Sequence, residues 1–430
     1  MQATTVDKLA HHLGEIVTIR GWLYNRRSKG KLHFLLIRDG TGIVQGIMFQ
    51  DDVNQDLFSQ CSRLPQESSL IATGKVRQDS RAPGGYELAI QDVEILQLAG
   101  EYPLGKKNHG SDFLLKNRHL WLRSKKQHAQ LKIRSEVIRV IRQFFDSRDF
   151  VLVDAPILTS SACEGTSSLF EVNYFERRAY LSQSGQLYVE AAAMAFGKVY
   201  CFGPTFRAEK SKTRKHLTEF WMVEPEIAYA NLDDIMRLAE ELVANLVEEV
   251  RKKRKEELKI LERDTEMLEK VALPFPRLSY AEALQILKDS GVSFEWGEDL
   301  GAPHEAIISS QFDRPVLIHR FPTQTKAFYM KKDPRDSHLA LCVDMLAPEG
   351  YGEIIGGGQR EDDLEALEKG MAQQNLNRED FEWYLDLRRY GSVPHAGFGL
   401  GLERTVAWLC GTQHVREVIP FPRTLYRIYP

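Results

Sequence analysis

The stretch CFGPTFRAEKSKTRKHLTEFWMVEPEIAY, residues 201–229, decides how the rest of the sequence is interpreted. Its two apolar runs flank a loop rich in Lys and Arg, which is the pattern of a β-hairpin. Arg207, Glu209, Glu224 and Glu226 lie within the strand-like parts, where ionised groups are costly unless they are paired or face a ligand. We therefore expect a charged β face that binds phosphates, a base and a zwitterion; the alternative is a solvated edge hairpin.

The length and composition limit the class of protein and the number of domains. The chain has 430 residues, of which 43% are hydrophobic and 27% charged, and its net charge is -3. These values are typical of a globular protein with two or three domains, in which nucleic-acid binding depends on local patches. The five cysteines are scattered without zinc spacing, which indicates reduced thiols and a cytoplasmic location. We find no secretory signal and no apolar run near the roughly 20 residues that cross a membrane, so no membrane partner is expected.

The first hundred residues have the pattern of a small β domain. Five strand-like runs between residues 14 and 98 are separated by Gly and Asp-Gly turns, and a helical piece follows the third run. This order matches the OB-fold barrel, which often binds oligonucleotides. The expected binding side contains Arg26, Arg27, Lys29, Lys31, His33, Phe34 and Gln45.

Four of these residues, Arg26, Arg27, Phe34 and Gln45, are the candidates for contact with single-stranded RNA. An aromatic ring can stack on a base, an amide can read a base edge, and cations attract the backbone. The alternative is that Phe34 belongs to the core and the cations only make the loop soluble.

The remaining chain predicts a larger domain of mixed structure. Residues 127–148 have the spacing of an amphipathic helix, and the run after it ends at Pro156, which suits a sheet edge or a subunit interface. A strand enters a helix at Ser184, and a long charged helix covers residues 231–263. Further strands are expected at Val316–His319 and Ala327–Met330.

Two later stretches carry charges beside glycines. In LALCVDMLAPEGYGEIIGGGQ, residues 339–359, Asp344 and Glu353 precede a triple glycine, and Arg360 follows at once. In GSVPHAGFGLGLERTVAWLCG, residues 391–411, a glycine-rich strand leads into an apolar helix with Arg404 in its first turn. The glycines let backbone approach a ligand closely, and an Arg at a helix start suits phosphate contact.

Together these stretches resemble a class II aminoacyl-tRNA synthetase of the aspartyl/asparaginyl/lysyl subgroup. Residues 131–158 resemble motif 1, the hairpin at 201–229 resembles motif 2, and the G-L-G-L-E-R run within 395–411 resembles motif 3. The resemblance covers essentially the whole chain. It implies a multidomain fold, with an N-terminal OB-fold β-barrel and an α+β catalytic domain built on an antiparallel sheet flanked by helices. The implied domains are an anticodon-binding domain at 1–100, a hinge at 101–125, and a catalytic domain at 126–430 with a helical insertion at 231–330.

The resemblance also implies the nucleotide site. Arg207 and Arg404 would be the catalytic residues, with Arg207 on the α-phosphate and the amino-acid carboxylate, and with the adenine between Phe220 and Arg404. Asp344 and Glu353 would bind Mg²⁺, which prefers carboxylate and phosphate oxygens. The implied ATP-binding residues are Arg207, Glu209, Arg214, His216, Leu217, Phe220, Glu353, Gly401 and Arg404.

The family alone leaves aspartate, asparagine and lysine open as the amino acid. Arg360 after the triple glycine disfavours lysine, Val189 replaces the lysine of the aspartyl pattern, and Glu224 replaces its aspartate. Glu224 could accept from a substrate amide and Arg360 could donate to it, whereas a substrate carboxylate would meet a like charge at Glu224. The amino-acid site is then expected to comprise Glu164, Ser184, Gln186, Arg207, Glu224 and Arg360.

The expected function is ATP-dependent ligation of L-asparagine to tRNA(Asn), by a homodimer that associates through the motif 1 region. Three alternatives are weighed against it. An aspartyl-tRNA synthetase is disfavoured by Val189 and Glu224. A relative of asparagine synthetase on the same catalytic fold usually lacks the OB barrel. A non-catalytic RNA-binding relative would be expected to lose an ATP residue, whereas Arg207, Asp344, Glu353 and Arg404 are all present.

Overall fold

The computed structural model describes residues 2–105, 107–160, 163 and 169–430. Its backbone divides into two compact units, Met1–Gly110 and Ser111–Pro430. Among the described residues, no helix is long and apolar enough to pass through a lipid bilayer.

The first unit is a β-barrel with one α-helix. Its strands are β1 (Gln2–Thr4), β2 (Ile16–Lys29), β3 (Leu32–Arg38), β4 (Ile43–Phe49), β5 (Ser69–Gln78) and β6 (Tyr86–Gln97), and its helix is α1 (Gln55–Arg63). The sheet order is β1-β2-β3-β4-β6-β5, and an additional β2–β5 pairing closes the barrel. Side chains alternate along β3, so that Leu35 and Ile37 are fully buried while their neighbours face outward. The predicted OB barrel is confirmed, with the short parallel strand β1 added to it.

The second unit is built around one large sheet. Its helices are α2 (Ser111–Lys116), α3 (Arg118–Trp121), α4 (Lys125–Asp146), α5 (Gln186–Phe196), α6 (Leu232–Lys253), α7 (Lys255–Ile260), α8 (Thr265–Glu269), α9 (Tyr280–Asp289), α10 (Ala302–Ser309), α11 (Leu364–Gln373), α12 (Glu382–Arg389) and α13 (Leu402–Cys410). Its strands are β7 (Val151–Leu152), β8 (Leu158–Thr159), β9 (Glu171–Tyr174), β10 (Arg177–Leu181), β11 (Lys198–Phe206), β12 (Glu219–Ala228), β13 (Arg277–Ser279), β14 (Val316–His319), β15 (Lys332–Asp333), β16 (Asp336–Ala340), β17 (Cys342–Ala347), β18 (Gly352–Gln359) and β19 (His395–Gly401).

The large sheet has the order β13-β14-β17-β18-β19-β12-β11-β7. All pairings from β14 to β11 are antiparallel, and only the outermost strands β13 and β7 pair in parallel. One face of the sheet packs on α4, α6 and α13 around a core that includes Val223, Leu246 and Trp408. The expected antiparallel sheet flanked by helices is confirmed, and its opposite face is left for the charged residues.

The hairpin at 201–229 is formed by β11 and β12, in a register that pairs Cys201 with Glu224 and Thr205 with Phe220. Strand β11 ends at Phe206, so Arg207 and Glu209 lie in the loop and not, as predicted, within the strand. Glu224 and Glu226 do lie on β12.

Two other expectations differ from the structure. Ala327–Met330 is not a strand, because Phe328 and Tyr329 are drawn into an apolar cluster with residues of α11 and α12, and only Met330 forms an isolated bridge, to Arg360. The predicted helix at 231–263 is interrupted at Arg254, whose guanidinium donates to Glu136 Oε2 from Nη2 at 2.8 Å. The interruption separates α6 from α7.

Candidate active site

An open cavity of about 710 Å³ lies over the second face of the sheet, between β12, β18, β19, α13 and the hairpin loop. Its lining consists of Arg207, Glu209, Lys215, His216, Leu217, Phe220, Met222, Glu353, Ile354, Gly399, Gly401, Glu403, Arg404 and Val415. All of the residues predicted to bind ATP are in this set except Arg214. Arg214 instead lines the adjoining cavity with His414 and Arg416, and its Nη1 donates to Gln413 Oε1 at 2.7 Å.

Arg207 and Phe220 are neighbours in the main cavity. The Arg207 guanidinium carbon lies 5.5 Å from the centroid of the Phe220 ring, within the range of a cation–π contact. Two features fix this arrangement: the register of the hairpin places Phe220 opposite Thr205, and the Arg207 backbone N–H donates to the Thr218 carbonyl at 3.1 Å. A planar cation beside an aromatic ring can bind a phosphate next to a stacked base.

Arg404 closes the cavity from the side of α13. The sharp passage from β19 into α13 at Gly401 places Arg404 in the first helical turn, where its Nη1 donates to the Glu353 carbonyl. The same Nη1 atom is 3.9 Å from Glu353 Oε2. Arg404 thus contacts β18, the strand that carries the predicted metal ligand Glu353.

The loop of the hairpin adds further cations. His216 Nε2 lies 3.6 Å from Glu209 Oε2. Burial lowers the pKa of His216, as do Arg404, Arg207 and Lys215, whereas Glu209 opposes them. Burial also lowers the pKa of Lys215. Because burial and neighbouring positive charge disfavour the protonated forms of both side chains, a bound polyanion would favour their protonation.

The two predicted metal ligands face each other across β17 and β18. A β carbon placed on Gly356 would lie 2.6 Å from Glu353 Oε1 and 3.5 Å from Asp344 Oδ1, so the glycine keeps open the space that both carboxylates face. Within the described residues, no cluster of three or more His, Cys, Asp and Glu side chains forms a complete metal site. Two carboxylates beside a phosphate site fit Mg²⁺, which usually retains waters and substrate oxygens among its ligands.

The structure adds two residues to this region that the sequence did not indicate. Lys326 Nζ is 2.8 Å from Asp344 Oδ2. Burial raises the pKa of Asp344 to about 7, although Lys326 opposes the shift. Glu305, on α10, accepts a hydrogen bond from the Glu353 backbone N–H at 3.2 Å. Lys326 and Glu305 both lie in the 231–330 region. The sequence of this region has no periodic pattern or charge spacing that predicts a contact with β17 or β18.

Glu224 is nearly inaccessible to solvent and is surrounded by donors. Ser184 Oγ donates to Oε1, while the Gly185 N–H at 2.8 Å and Cys201 Sγ at 3.3 Å donate to Oε2. Burial raises the pKa of Glu224, and these three donors oppose the rise. A carboxylate offers about four acceptor positions. Among the described residues, Glu224 therefore retains one acceptor position, on Oε1.

Val189 explains part of this environment. It packs with Cys201 in a small buried cluster below the strand. An apolar side chain at this position brings no ammonium group to Glu224, so the carboxylate is held by a thiol, a hydroxyl and a backbone amide.

Arg360 is held by Glu226 in a fully buried ion pair. Its Nη2 donates to Glu226 Oε2 at 2.9 Å and its Nε to Glu226 Oε1 at 3.1 Å. The exposed fractions of the two side chains are 2% and 0%. Burial opposes the charge of Arg360, but Glu226 raises its pKa above the usual value. The remaining terminal nitrogen, Nη1, is 3.9 Å from Met330 Sδ.

The other predicted amino-acid residues lie beside these two. Ser184 and Gln186 are buried at the start of α5, where the Gln186 N–H donates to Ser184 Oγ at 3.0 Å. Glu164 lies outside the residues that the structure describes.

The even-numbered residues of β12 connect the two halves of the site. Phe220, Met222, Glu224 and Glu226 share one face of the strand, because side chains alternate along it. At roughly 3.3 Å per residue, about 13 Å separates Phe220 from Glu224. One strand face thus carries an aromatic ring at one end and buried carboxylates at the other.

In the first unit, Phe34 faces outward from β3, and the Arg27 guanidinium carbon is 4.3 Å from its ring centroid. Gln45 pairs with Leu36 in the neighbouring strand and faces the same side. Arg26 Nε donates to the Leu64 carbonyl at 2.8 Å. The expectation for His33 is wrong: its ring is 3% exposed and stacks on Phe58.

Comparisons with known proteins agree with this geometry. The model of the family described as tRNA synthetases class II (D, K and N) matches residues 110–425. A second model, the OB-fold nucleic acid binding domain, matches residues 17–96. The chain belongs to the class II tRNA synthetases of the D, K and N group, and the resemblance given above is confirmed.

Three relatives are similar over their full length. The asparagine–tRNA ligases of Desulforamulus reducens and Pelotomaculum thermopropionicum are 57% and 58% identical to this chain, with 100% of each chain covered. The crystal structure of asparaginyl-tRNA synthetase from Pyrococcus horikoshii complexed with asparaginyl-adenylate is 45% identical and has a TM-score of 0.97, again with 100% of both chains covered.

The space at Gly356 leads to a prediction about Mg²⁺. Replacement of Gly356 by Ala would displace the Glu353 carboxylate from the space that it shares with Asp344, since the new methyl group would lie 2.6 Å from Glu353 Oε1. We expect the Mg²⁺ concentration for half-maximal ATP–pyrophosphate exchange to rise at least about tenfold.

The matched control is Gly203→Ala, on β11, where an added methyl group meets no atom within 4 Å. Equal Mg²⁺ dependence in the two variants would contradict the assignment of this space to the metal.

Proposed function

We propose that this protein ligates L-asparagine to tRNA(Asn), using ATP and passing through an asparaginyl-adenylate, with release of pyrophosphate and AMP. The observation that carries the proposal is the face of β12, which runs from Phe220 in the nucleotide cavity to Glu224 and the Arg360–Glu226 pair. The full-length similarity to asparagine–tRNA ligases supports the choice of amino acid.

In the first step, a carboxylate oxygen of asparagine attacks the α-phosphorus of ATP, and the bond from that phosphorus to pyrophosphate breaks. Arg207 is suited to hold both reactants, because its planar fork can bind a carboxylate and a phosphate. It would also stabilise the negative charge that develops at phosphorus. Phe220 would stack on the adenine beside it.

The outer phosphates would lie among the cations of the hairpin loop and α13. Lys215 and Arg404 line the cavity around Glu353 and can neutralise the departing pyrophosphate, to which His216 can donate a hydrogen bond. Bound by Asp344 and Glu353, Mg²⁺ would supply further positive charge against the phosphate oxygens.

In the second step, a terminal ribose hydroxyl of the tRNA attacks the carbonyl carbon of the adenylate, and AMP leaves. No covalent bond to the protein forms in either step. Catalysis then depends on holding the reacting atoms in line and on charges prepared in advance.

The selection of asparagine over aspartate would occur where β12 carries Glu224, at the end of the strand face away from Phe220. The open acceptor position on Glu224 Oε1 suits the NH₂ group of asparagine, and Arg360 Nη1 can donate to its carbonyl oxygen. A substrate carboxylate would instead face the like charge of Glu224. Because position 189 is a valine and not the lysine of the aspartyl pattern, no ammonium group there would offset this repulsion.

The first unit would bind the anticodon. The outward ring of Phe34 beside Arg27 offers a stacking surface with a nearby cation, and Gln45 lies on the same side. Arg26 would contribute its terminal nitrogens, since its Nε is bound to Leu64. We propose an anticodon-binding domain at residues 1–100 and a catalytic domain at 126–430; of the hinge expected at 101–125, residues 111–125 belong to the second compact unit.

We also propose that the protein is a homodimer in the cytoplasm. Four apolar side chains of the motif 1 region, Val151, Leu152, Ile157 and Leu158, are between 40% and 46% exposed, which supports burial against a second copy. The five cysteines are free thiols, which supports a reducing compartment.

Pyrophosphate exchange with each amino acid tests the proposed function. We expect the purified protein to exchange pyrophosphate into ATP with asparagine at least about a hundredfold faster than with aspartate, because one buried like-charge contact separates the two substrates. Aminoacylation of tRNA(Asn) should follow the same preference. Faster exchange with aspartate would overturn the proposal.

Glu224→Gln tests the origin of the selectivity. The variant removes the like charge that an aspartate would meet, so the ratio of kcat/KM for asparagine over aspartate should fall at least about tenfold. The KM for ATP serves as the internal control and should change less than about twofold, because Glu224 does not line the nucleotide cavity. Unchanged selectivity would exclude Glu224 as the reading residue.

Phe34→Ala tests the anticodon contact. Loss of base stacking is worth about 1–3 kcal/mol, so the KM for tRNA(Asn) should rise roughly tenfold or more. Pyrophosphate exchange without tRNA should stay at the wild-type rate, which shows that the catalytic unit is intact. An unchanged KM for the tRNA would contradict the proposed role of Phe34.

A further inference from the structure

A second buried carboxylate, Glu190, lies behind the proposed amino-acid pocket and has no part in the reaction described above. Glu190 is on α5, four residues after Gln186, so the two side chains lie on the same face of the helix. Its exposed fraction is 0%. An isolated charge at such a place would be strongly unfavourable, so its partners determine what it can do.

Four side chains surround this carboxylate. Glu190 Oε1 accepts from Gln186 Nε2 at 2.9 Å. Oε2 accepts from Tyr384 Oη at 2.7 Å, Arg388 Nη2 at 2.8 Å and His395 Nε2 at 2.9 Å. Burial alone would raise the pKa of Glu190, but Arg388, His395 and Arg360 outweigh it and hold the pKa below its usual value. Glu190 is therefore an ionised group that only accepts hydrogen bonds.

This ionised state fixes the amide of Gln186. Because the carboxylate only accepts, the NH₂ end of the Gln186 amide must face Glu190 and its oxygen must face away. Among the described residues, the Gln186 oxygen accepts no hydrogen bond. An amino-acid ammonium group carries three donors and needs such acceptors.

The same carboxylate is joined to the opposite end of the pocket. Arg388, which donates to Glu190, also donates from Nε to the Glu361 carbonyl at 2.8 Å, next to Arg360 in the chain. The Arg360 backbone N–H donates to the His395 carbonyl at 2.9 Å, and His395 is itself a partner of Glu190. Glu190 thus contacts Gln186 on its own helix. It also contacts Arg388 and His395, which hold the backbone at Arg360 and Glu361.

We propose that Glu190 is a positioning residue for the amino-acid substrate, which presents the Gln186 amide oxygen to the α-ammonium group and fixes Arg360 through Arg388 and His395. The inference rests on the proposed function, since it assigns the pocket to an amino acid. Glu190 does not touch the substrate. Its effect is confined to binding of the amino acid and leaves the nucleotide cavity unchanged.

The test is steady-state pyrophosphate exchange by the full-length protein and by Glu190→Gln. A glutamine at position 190 can donate as well as accept, so it no longer dictates the orientation of Gln186. We expect the KM for asparagine to rise at least about tenfold, as for loss of a hydrogen bond to a charged group. The KM for ATP should remain within about twofold of the wild-type value, a split that a general loss of folded protein would not produce.

A double-mutant cycle shows whether the effect passes through Gln186. Gln186→Ala removes the amide, so addition of Glu190→Gln to this variant should raise the KM for asparagine by much less than in the wild type. Additive effects would overturn this part of the proposal. A change of less than twofold in Glu190→Gln would overturn the whole of it.

A second variant covers the case in which Glu190→Gln does not fold because Arg388 is left without its carboxylate. Glu190→Gln combined with Arg388→Gln removes both charges together, and we expect the same rise in the KM for asparagine. A wild-type KM in this folded variant would contradict the inference. If the wild-type protein does not exchange with asparagine at all, the proposed function fails instead.

Discussion

The structure depends on how buried carboxylates are matched with donors on one face of β12. The charge of Glu226 is balanced by the fork of Arg360, and Glu224 accepts hydrogen bonds from a hydroxyl, a thiol and a backbone amide. Taking such charges out of water is unfavourable by several kcal/mol for each ion, so every partner must be in place when the sheet forms. The antiparallel sheet meets this requirement by bringing β12, β18 and β19 together with the start of α5.

Much of this architecture could be predicted from the sequence. The hairpin, its basic loop and the buried acids of the second strand follow from residues 201–229, since charges in a strand pattern require either partners or a ligand. Alternating apolar residues also define the barrel of the first unit. The placement of Arg207 in the loop could not be predicted from the pattern, because the last paired residue of β11 is set by its register with β12.

The contacts that join distant segments could not be predicted in this way. Lys326 reaches Asp344, and Glu305 reaches the backbone of Glu353, but neither lies in a motif or a periodic pattern. For Glu190 the sequence holds a signal, since Gln186 stands one helical turn before it. Its pairing with Arg388 depends on a helix that begins nearly two hundred residues later, and only the fold reveals it.

We propose that Glu224 and Arg360 together read the side-chain amide of asparagine. A crystal structure of the protein with a non-hydrolysable asparaginyl-adenylate analogue tests it most directly. We predict that the amide nitrogen of the analogue lies within ~3.2 Å of Glu224 Oε1 and that the amide oxygen lies within the same distance of Arg360 Nη1. An amide bound by other residues, with Glu224 still held only by Ser184, Gly185 and Cys201, would contradict this role of Glu224 and Arg360.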